Sequence, residues 1–150
     1  MSAGNDLYQH VILDHNRSPR NLRAMPDANR TAQGINPLCG DRLTVWLRME
    51  GDRVSDASFE GSGCAISRAS ASLMTTALKG RSSAEAGDLA DRFQALVTGR
   101  LDPDPAARVP LGKLVIFEGV SRFPLRVKCA TLAWHAAKAA LRGEGQVTTD

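Results

Sequence analysis

The residues of this chain best suited to chemistry are its three cysteines, Cys39, Cys64 and Cys129. An odd number of cysteines in a small chain that we expect to be cytosolic argues against a disulfide framework. It favours metal binding, catalysis or inert burial, and a lone cysteine is most often a small buried apolar residue. None of the three has the paired C-x-x-C spacing of many zinc sites. From spacing alone, a metal site and structural burial both stay open.

Each cysteine lies close to the start of an expected strand or helix. Cys39 precedes a strand in NPLCGD, Cys64 follows Gly-Ser-Gly before a helix, and Cys129 lies in the first turns of the last helix. Asp41 is two positions after Cys39, so an extended segment would present a thiolate and a carboxylate on one side. A nearby helix N-terminus favours the thiolate form. Three cysteines and one aspartate would form a four-coordinate site suited to zinc or an iron–sulfur cluster.

The charge of such a site needs compensation. Three thiolates and a carboxylate around Zn²⁺ leave a surplus of negative charge, and Arg126, Lys128 and Arg42 lie close in sequence to the ligands. The serines and the arginine next to Cys64 have two open interpretations, as groups supporting the site or as ordinary loop and helix surface. These residues are Ser62, Ser67 and Arg68.

Histidine is the alternative fourth ligand. His10 and His15 lie in the first predicted helix, where we expect solvated or capping roles. His135 is six residues after Cys129 and therefore does not share a helical face with it. A Cys–His nucleophilic pair is not favoured.

The hydrophobic pattern predicts an α+β fold with a small antiparallel sheet. Alternation predicts strands over 42–49 and 54–60, and a long, mostly irregular segment precedes them over 18–41. Residues 101–110 form a connector, 111–120 fit a short helix better than a strand, and 144–150 form a frayed tail. Met74 and Trp134 are expected in the core. Helices are predicted over 6–17 (with Leu7, Tyr8, Val11, Ile12 and Leu13 on its apolar stripe), from 65 to Gly80, from the Ser82–Glu85 capping box to about Val97, and from Pro124 to Gly143.

Composition restricts the class of protein. The chain has 150 residues, of which 43% are hydrophobic and 23% charged, as expected for a single domain over 1–150. It lacks both a secretory signal and the roughly 18 consecutive apolar residues of a membrane span, so we expect a cytoplasmic location without membrane association. A net charge of +3 and an aromatic content of only 5% give nucleic-acid binding no support.

Four motifs resemble the U-type iron–sulfur cluster assembly proteins, the family of IscU, SufU and the NifU N-terminal domain. Cys-Gly-Asp, Gly-x-Gly-Cys-Ala-x-Ser and Lys-Cys together are specific to it, and the motifs cover nearly the whole chain. The resemblance implies an α+β fold with helices packed on one side of a small antiparallel sheet. The matching segments are LYQHVILDHNRSPRN (7–21), NPLCGD (36–41), FEGSGCAISRASASLMT (59–75) and RFPLRVKCATLAW (122–134).

Two features resemble the SufU subtype in particular. Lys128 stands where the scaffold subtype has a histidine before the third cysteine, and residues 81–110 lengthen the chain between Cys64 and Cys129. The resemblance implies a zinc ion bound by three cysteines and one aspartate, with sulfur accepted from a SufS-type cysteine desulfurase. The implied ligands are Cys39, Asp41, Cys64 and Cys129. Arg126 matches a family arginine that engages the desulfurase. Lys128 would lie next to the ligands without binding the metal itself.

The chemistry of persulfide transfer predicts one acceptor thiolate. We expect it to be Cys39, which lies in a loop beside Gly40, whereas Cys64 and Cys129 are anchored at helix starts. The protein would be a sulfurtransferase-like carrier that serves downstream iron–sulfur assembly proteins. Two alternatives remain: a scaffold for a [2Fe–2S] cluster, which would use the same ligands, and a structural zinc module, which Asp41 disfavours because closed sites use Cys and His.

Overall fold

A computed structural model describes residues 3–148, and side chains are described for 6–147. Its regular elements, in chain order, are α1 (Ala3–Arg17), β1 (Arg30–Asn36), β2 (Asp41–Glu50), β3 (Arg53–Ser62), α2 (Ala65–Leu78), α3 (Ser83–Val97), two 3-10 segments (Pro105–Ala107 and Val109–Arg122), α4 (Pro124–Leu141) and β4 (Gln146–Thr148). No helix in this described part is long and apolar enough to cross a membrane.

The sheet has four strands in the order β3-β2-β1-β4. β2 pairs antiparallel with both β1 and β3, as the alternating pattern predicts. β4 joins β1 in parallel, so the sheet is mixed and not purely antiparallel. The expectation of a frayed tail is therefore wrong for 146–148, while 149 and 150 lie outside the described residues.

The expectation of an irregular segment over 18–41 is wrong for β1. Its inward-facing positions are Ala32, Gly34 and Asn36. Because these residues are small or polar, the strand lacks the alternation of large apolar and polar residues by which a half-buried strand is recognised in a sequence. Gly34 favours close packing, since a Cβ atom there would lie 3.1 Å from Leu132 Cδ1 and 3.3 Å from Ala136 Cβ, and these neighbours would have to shift. β1 can thus approach α4 closely without any large apolar side chain.

The core lies between the sheet and the helices. Leu43, Val45 and Leu47 on β2 are fully buried, and α4 packs across β1 and β2. α2 packs on β3 and α4, α1 packs on α2, and α3 packs on α4 and the longer 3-10 segment. Met74 and Trp134 are core residues as expected, at 0% and 2% exposure. The α+β architecture with helices on one face of the sheet is confirmed.

The apolar stripe of α1 is narrower than the sequence pattern indicates. Leu7 and Leu13 are 53% and 55% exposed, whereas Ile12 and His15 are buried. Since α1 packs mainly on α2 and, to a lesser extent, on the longer 3-10 segment, it buries Ile12 and His15, three positions apart, and leaves Leu7 and Leu13 in solvent. His15 Nδ1 lies 2.6 Å from Ser72 Oγ of α2.

The remaining helix boundaries follow their local signals. The Ser82–Glu85 capping box is present, with Glu85 N donating to Ser82 Oγ at 3.1 Å and Ser82 N donating to Glu85 Oε1 at 2.9 Å. The segment expected as a short helix over 111–120 belongs to a 3-10 segment that bends at Gly112, where φ is 53°. Because a 3-10 helix has three residues per turn and this one bends, the hydrophobic pattern over 111–120 fits neither an α-helix nor a strand clearly.

Replacing the capping serine tests whether the capping box supports α3. Ser82→Ala removes the acceptor for the Glu85 N–H and is expected to lower the free energy of unfolding by about 1 kcal/mol. Ser83→Ala, one position inside the helix, is the matched control and should change it by less than about 0.5 kcal/mol. Urea unfolding of both variants provides the measurement, and equal effects would contradict a specific cap.

Candidate metal centre

Cys39 lies in a tight turn between β1 and β2. Gly40 N donates to Asn36 O at 2.8 Å, Leu38 N donates to Asn36 Oδ1 at 3.2 Å, and Gly40 has a φ of 76°. Cys39 and Asp41 are therefore not consecutive inward positions of an extended segment. The turn brings the exposed Cys39 back towards Asp41, the first residue of β2.

Three of the four predicted site residues converge. The Sγ atoms of Cys39 and Cys129 are 3.8 Å apart. Ligand atoms of Cys39, Asp41 and Cys129 all lie within 4.8 Å of one another. Two sulfurs bound at 2.3 Å to a tetrahedral zinc ion lie about 3.8 Å apart. The donor types and their separation thus fit zinc.

Cys64 stands apart from this close group but borders the same space. It is the N-cap of α2 and its Sγ accepts from Ser67 N at 3.5 Å. Burial, together with the neighbouring Cys64 and Cys39 thiols, raises the pKa of the Cys129 thiol above its usual range. A cavity of about 290 Å³ contains all three thiols, and it is also lined by Asn36, Leu38, Ile66, Leu125 and Arg126. Cys64 therefore borders the same cavity as the other two cysteines without belonging to the close donor group.

Asp41 is only 4% exposed and depends on a serine that the sequence left undecided. Ser67 Oγ donates to Asp41 Oδ2 at 2.5 Å and lies 3.2 Å from the carbonyl oxygen of Cys129. Ser67 is fully buried. The signal that could have identified it is its spacing, because the third residue of a helix faces the N-cap side chain and Cys64 is that N-cap.

The three basic residues expected near the ligands lie in different places. Arg126 borders the cysteine cavity, and its guanidinium carbon lies 4.6 Å from the Phe123 ring centroid. Lys128 is half-buried in α4 next to Cys129. Arg42 is exposed while Asp41 is buried, because adjacent strand residues face opposite sides of the sheet. Arg42 is therefore not placed to offset charge at the site.

The histidines do not join the described donor group, which consists of Cys39, Asp41 and Cys129. His10 is exposed, as expected, but His15 is buried against Ser72, which corrects the expectation of a solvated or capping role. Burial, and secondarily Arg20, lower the pKa of His15. Burial also lowers the pKa of His135.

The structure has a helical layer on one face of a small sheet, with cysteines on the β1–β2 turn, at the start of α2 and in α4. The chain matches the NifU-like N-terminal domain over residues 7–130 and belongs to that family. It is 43% identical to the zinc-dependent sulfurtransferase SufU of Bacillus subtilis strain 168 over 130 residues, which cover 87% of this chain and 86% of the relative.

Two further relatives extend the comparison. The iron–sulfur cluster assembly scaffold protein IscU of Streptococcus pyogenes serotype M1 is 40% identical over 142 residues, covering 95% of this chain and 87% of that protein. The crystal structure of a proposed iron–sulfur cluster assembly scaffold protein for the SUF system of Fervidobacterium islandicum AW-1 superposes with a TM-score of 0.83. It is 31% identical and covers 91% of this chain and 98% of that one.

The buried His15 predicts a pH-dependent stability. Its folded-state pKa lies below the ordinary 6.5, so the unfolded chain binds the proton more tightly. The stabilisation is present above about pH 6.5 and is lost as pH falls below it. Urea unfolding of the metal-free protein should show stability falling from pH 7.5 to 5.5, with a smaller fall in His15→Gln. The exposed His10→Gln is the control and should keep the wild-type slope, and equal slopes in all three proteins would contradict this role.

Proposed function

We propose that this protein is a zinc-dependent acceptor of persulfide sulfur from a cysteine desulfurase and serves iron–sulfur cluster assembly. The observation that carries the proposal is the convergence of the Cys39 and Cys129 thiols with the Asp41 carboxyl group. Thiols with one hard oxygen donor suit zinc. The names of the SufU and IscU relatives support sulfur transfer and cluster assembly as the function.

The proposed zinc ligands are Cys39, Asp41, Cys64 and Cys129. The proposal is supported by the ligand atoms of Cys39, Asp41 and Cys129, which lie within 4.8 Å of one another, and by Cys64, which borders the same cavity. When bound, zinc would keep the cysteines as thiolates at neutral pH, because metal binding and proton loss are coupled. This matters most for Cys129, since burial raises the pKa of its thiol. The chain itself supplies the donors, of which Asp41 and Cys129 are buried and Cys39 and Cys64 are exposed.

Cys39 is the proposed acceptor. It is exposed and lies in a turn beside Gly40, whereas Cys129 is buried and the Cys64 sulfur accepts the N-cap hydrogen bond of α2. Its thiolate attacks the outer sulfur of the desulfurase persulfide. A new S–S bond forms at Cys39 Sγ, the S–S bond of the donor breaks, and the electron pair leaves with the desulfurase cysteine as a thiolate. The transfer needs no external oxidant or reductant.

The surroundings of Cys39 suit a protein partner. Leu38 and Leu125 border the cysteine cavity and are 63% and 69% exposed, and Arg126 lies between that cavity and a groove of about 620 Å³ along α1. Exposed apolar side chains beside one arginine are typical of an interface core. We propose that a SufS-type desulfurase docks here, with Arg126 contacting it. The cytoplasmic location and the supporting role of Lys128 stay predictions.

Sulfur acceptance is tested by desulfurase turnover. We expect zinc-loaded protein to stimulate turnover at least tenfold more than chelator-stripped protein, because bound zinc would hold the acceptor cysteine as a thiolate. Peptide mapping after a single turnover should place the added sulfur on Cys39. A desulfurase lacking its catalytic cysteine is the control.

Two results would reject this function or its details. No stimulation by either form would exclude sulfur acceptance, and the cluster scaffold would replace it. Added sulfur on Cys64 or Cys129, with normal stimulation, would retain the function and reject Cys39 as the acceptor.

The ligand set is tested by cobalt substitution for zinc. Cys64→Ser is expected to reduce the thiolate-to-cobalt absorption by about one third, since two sulfur donors remain of three. Asp41→Ala should keep that absorption and weaken metal binding by about tenfold or more. Ser62→Ala, beside the site in sequence, is the control and should match wild type. Unchanged absorption in Cys64→Ser would remove Cys64 from the set, and unchanged affinity in Asp41→Ala would remove Asp41.

A cluster scaffold is the second candidate, because the Streptococcus relative carries that name and the same donors would ligate iron. Anaerobic incubation with iron, sulfide and the purified chain distinguishes it. Stable [2Fe–2S] absorption that passes to an apo-acceptor would favour the scaffold.

A further inference from the structure

Ser67 contacts three of the four proposed ligands. Its hydroxyl donates to Asp41 Oδ2 at 2.5 Å, its backbone N–H donates to the Cys64 sulfur at 3.5 Å, and its Oγ lies 3.2 Å from the Cys129 carbonyl oxygen. No part of Ser67 is exposed. Ser67, in the first turn of α2, therefore connects Asp41 of β2, Cys64 at the N-cap of α2 and Cys129 of α4.

The hydroxyl has one proton and two oxygen acceptors within reach. The Asp41 contact is shorter by a clear margin, 2.5 Å against 3.2 Å to the Cys129 carbonyl, so the proton lies towards the carboxyl group. This bond engages Oδ2, whereas Oδ1 accepts no hydrogen bond within the described part of the chain, so we expect Oδ1 to be the metal-binding oxygen. The neighbouring Gly63 keeps the arrangement tight, since a Cβ atom there would lie 3.1 Å from Ser67 Cβ and 3.4 Å from Asp41 Cγ.

We propose that Ser67 is a positioning residue that fixes Asp41 as a one-oxygen ligand and keeps it in place while Cys39 exchanges. The proposal rests on the ligand set of the proposed function. A carboxylate held by a buried hydrogen bond arrives already oriented, and the loss of such outer partners typically weakens metal binding. Cys39 lies in an exposed turn, and its sulfur contacts the Cys129 sulfur at 3.8 Å. The site thus combines a buried, hydrogen-bonded oxygen donor with an exposed sulfur donor.

Zinc competition with a chromophoric chelator tests the proposal without any desulfurase. Ser67→Ala is expected to weaken zinc binding by about 10- to 100-fold, and Ser67→Thr, which keeps the hydroxyl, should stay within about threefold of wild type. The control is Ser72→Ala, another buried hydroxyl on α2, which bonds His15 and the Arg20 N–H and contacts none of the ligands. It should bind zinc as wild type does.

A double-mutant cycle separates positioning from general destabilisation. In an Asp41→Ala background, Ser67→Ala should weaken zinc binding by less than about threefold, because the carboxyl group it orients is gone. Additive effects would overturn the proposal, as would equal affinities of Ser67→Ala and Ser72→Ala. Equal weakening in Ser67→Thr and Ser67→Ala would also overturn it.

These outcomes are distinct from failure of the proposed function. If the wild-type chain binds no zinc, both the proposed ligand set and the proposed role of Ser67 are wrong. If it binds zinc with the expected Ser67 dependence but does not stimulate the desulfurase, sulfur acceptance fails and the role of Ser67 stands.

Discussion

Burial of the Asp41 carboxyl group is the constraint on which the site depends. A carboxyl group with 4% exposure needs a partner, and leaving such a group unpaired costs about 1–3 kcal/mol or more. The Ser67 hydroxyl supplies that partner from the first turn of α2, and the same turn holds the Cys64 sulfur. Because α4 packs against α2 and β1, Cys129 is brought to the same place. Satisfying one buried polar group therefore fixes the relative positions of the three segments that carry the thiols.

The N-terminal segment LYQHVILDHNRSPRN (7–21) has a structural role in the fold. Its two histidines lie outside the described donor group, and its asparagines bond to α2: Asn16 Nδ2 donates to the carbonyl oxygen of Ala65 at 2.9 Å, and Asn21 Nδ2 donates to Thr75 Oγ1 at 2.9 Å. With the contact of His15 to Ser72, these bonds attach α1 and the chain after it along α2. Asn21 also adopts a φ of 61°, which asparagine tolerates better than most residues. The segment 7–21 therefore helps to position α2, the helix that begins at the candidate metal centre.

Sequence patterns predicted the elements whose inward residues are large and apolar. The alternation of Leu43, Val45 and Leu47 identified β2, and the Ser82–Glu85 spacing identified the start of α3. β1 was missed because its inward residues are Ala32, Gly34 and Asn36, and β4 because a three-residue strand carries no period. The candidate ligands came from residue type and family resemblance. The Ser67–Asp41 bond could not come from the pattern alone, since it joins residues 26 positions apart through tertiary packing.

The short β4 strand has a consequence for how the protein behaves at high concentration. Without it, β1 would offer its outer row of N–H and C=O groups to strands of other molecules. β4 covers β1 over Gln33 to Ile35, and on the opposite edge the backbone of Asn21 and Arg23 pairs with Phe59 of β3. Strand-to-strand association between copies is therefore opposed at Gln33 to Ile35 of β1 and at Phe59 of β3. The exposed side chains around Cys39 lie outside these paired backbone segments and remain available for a partner.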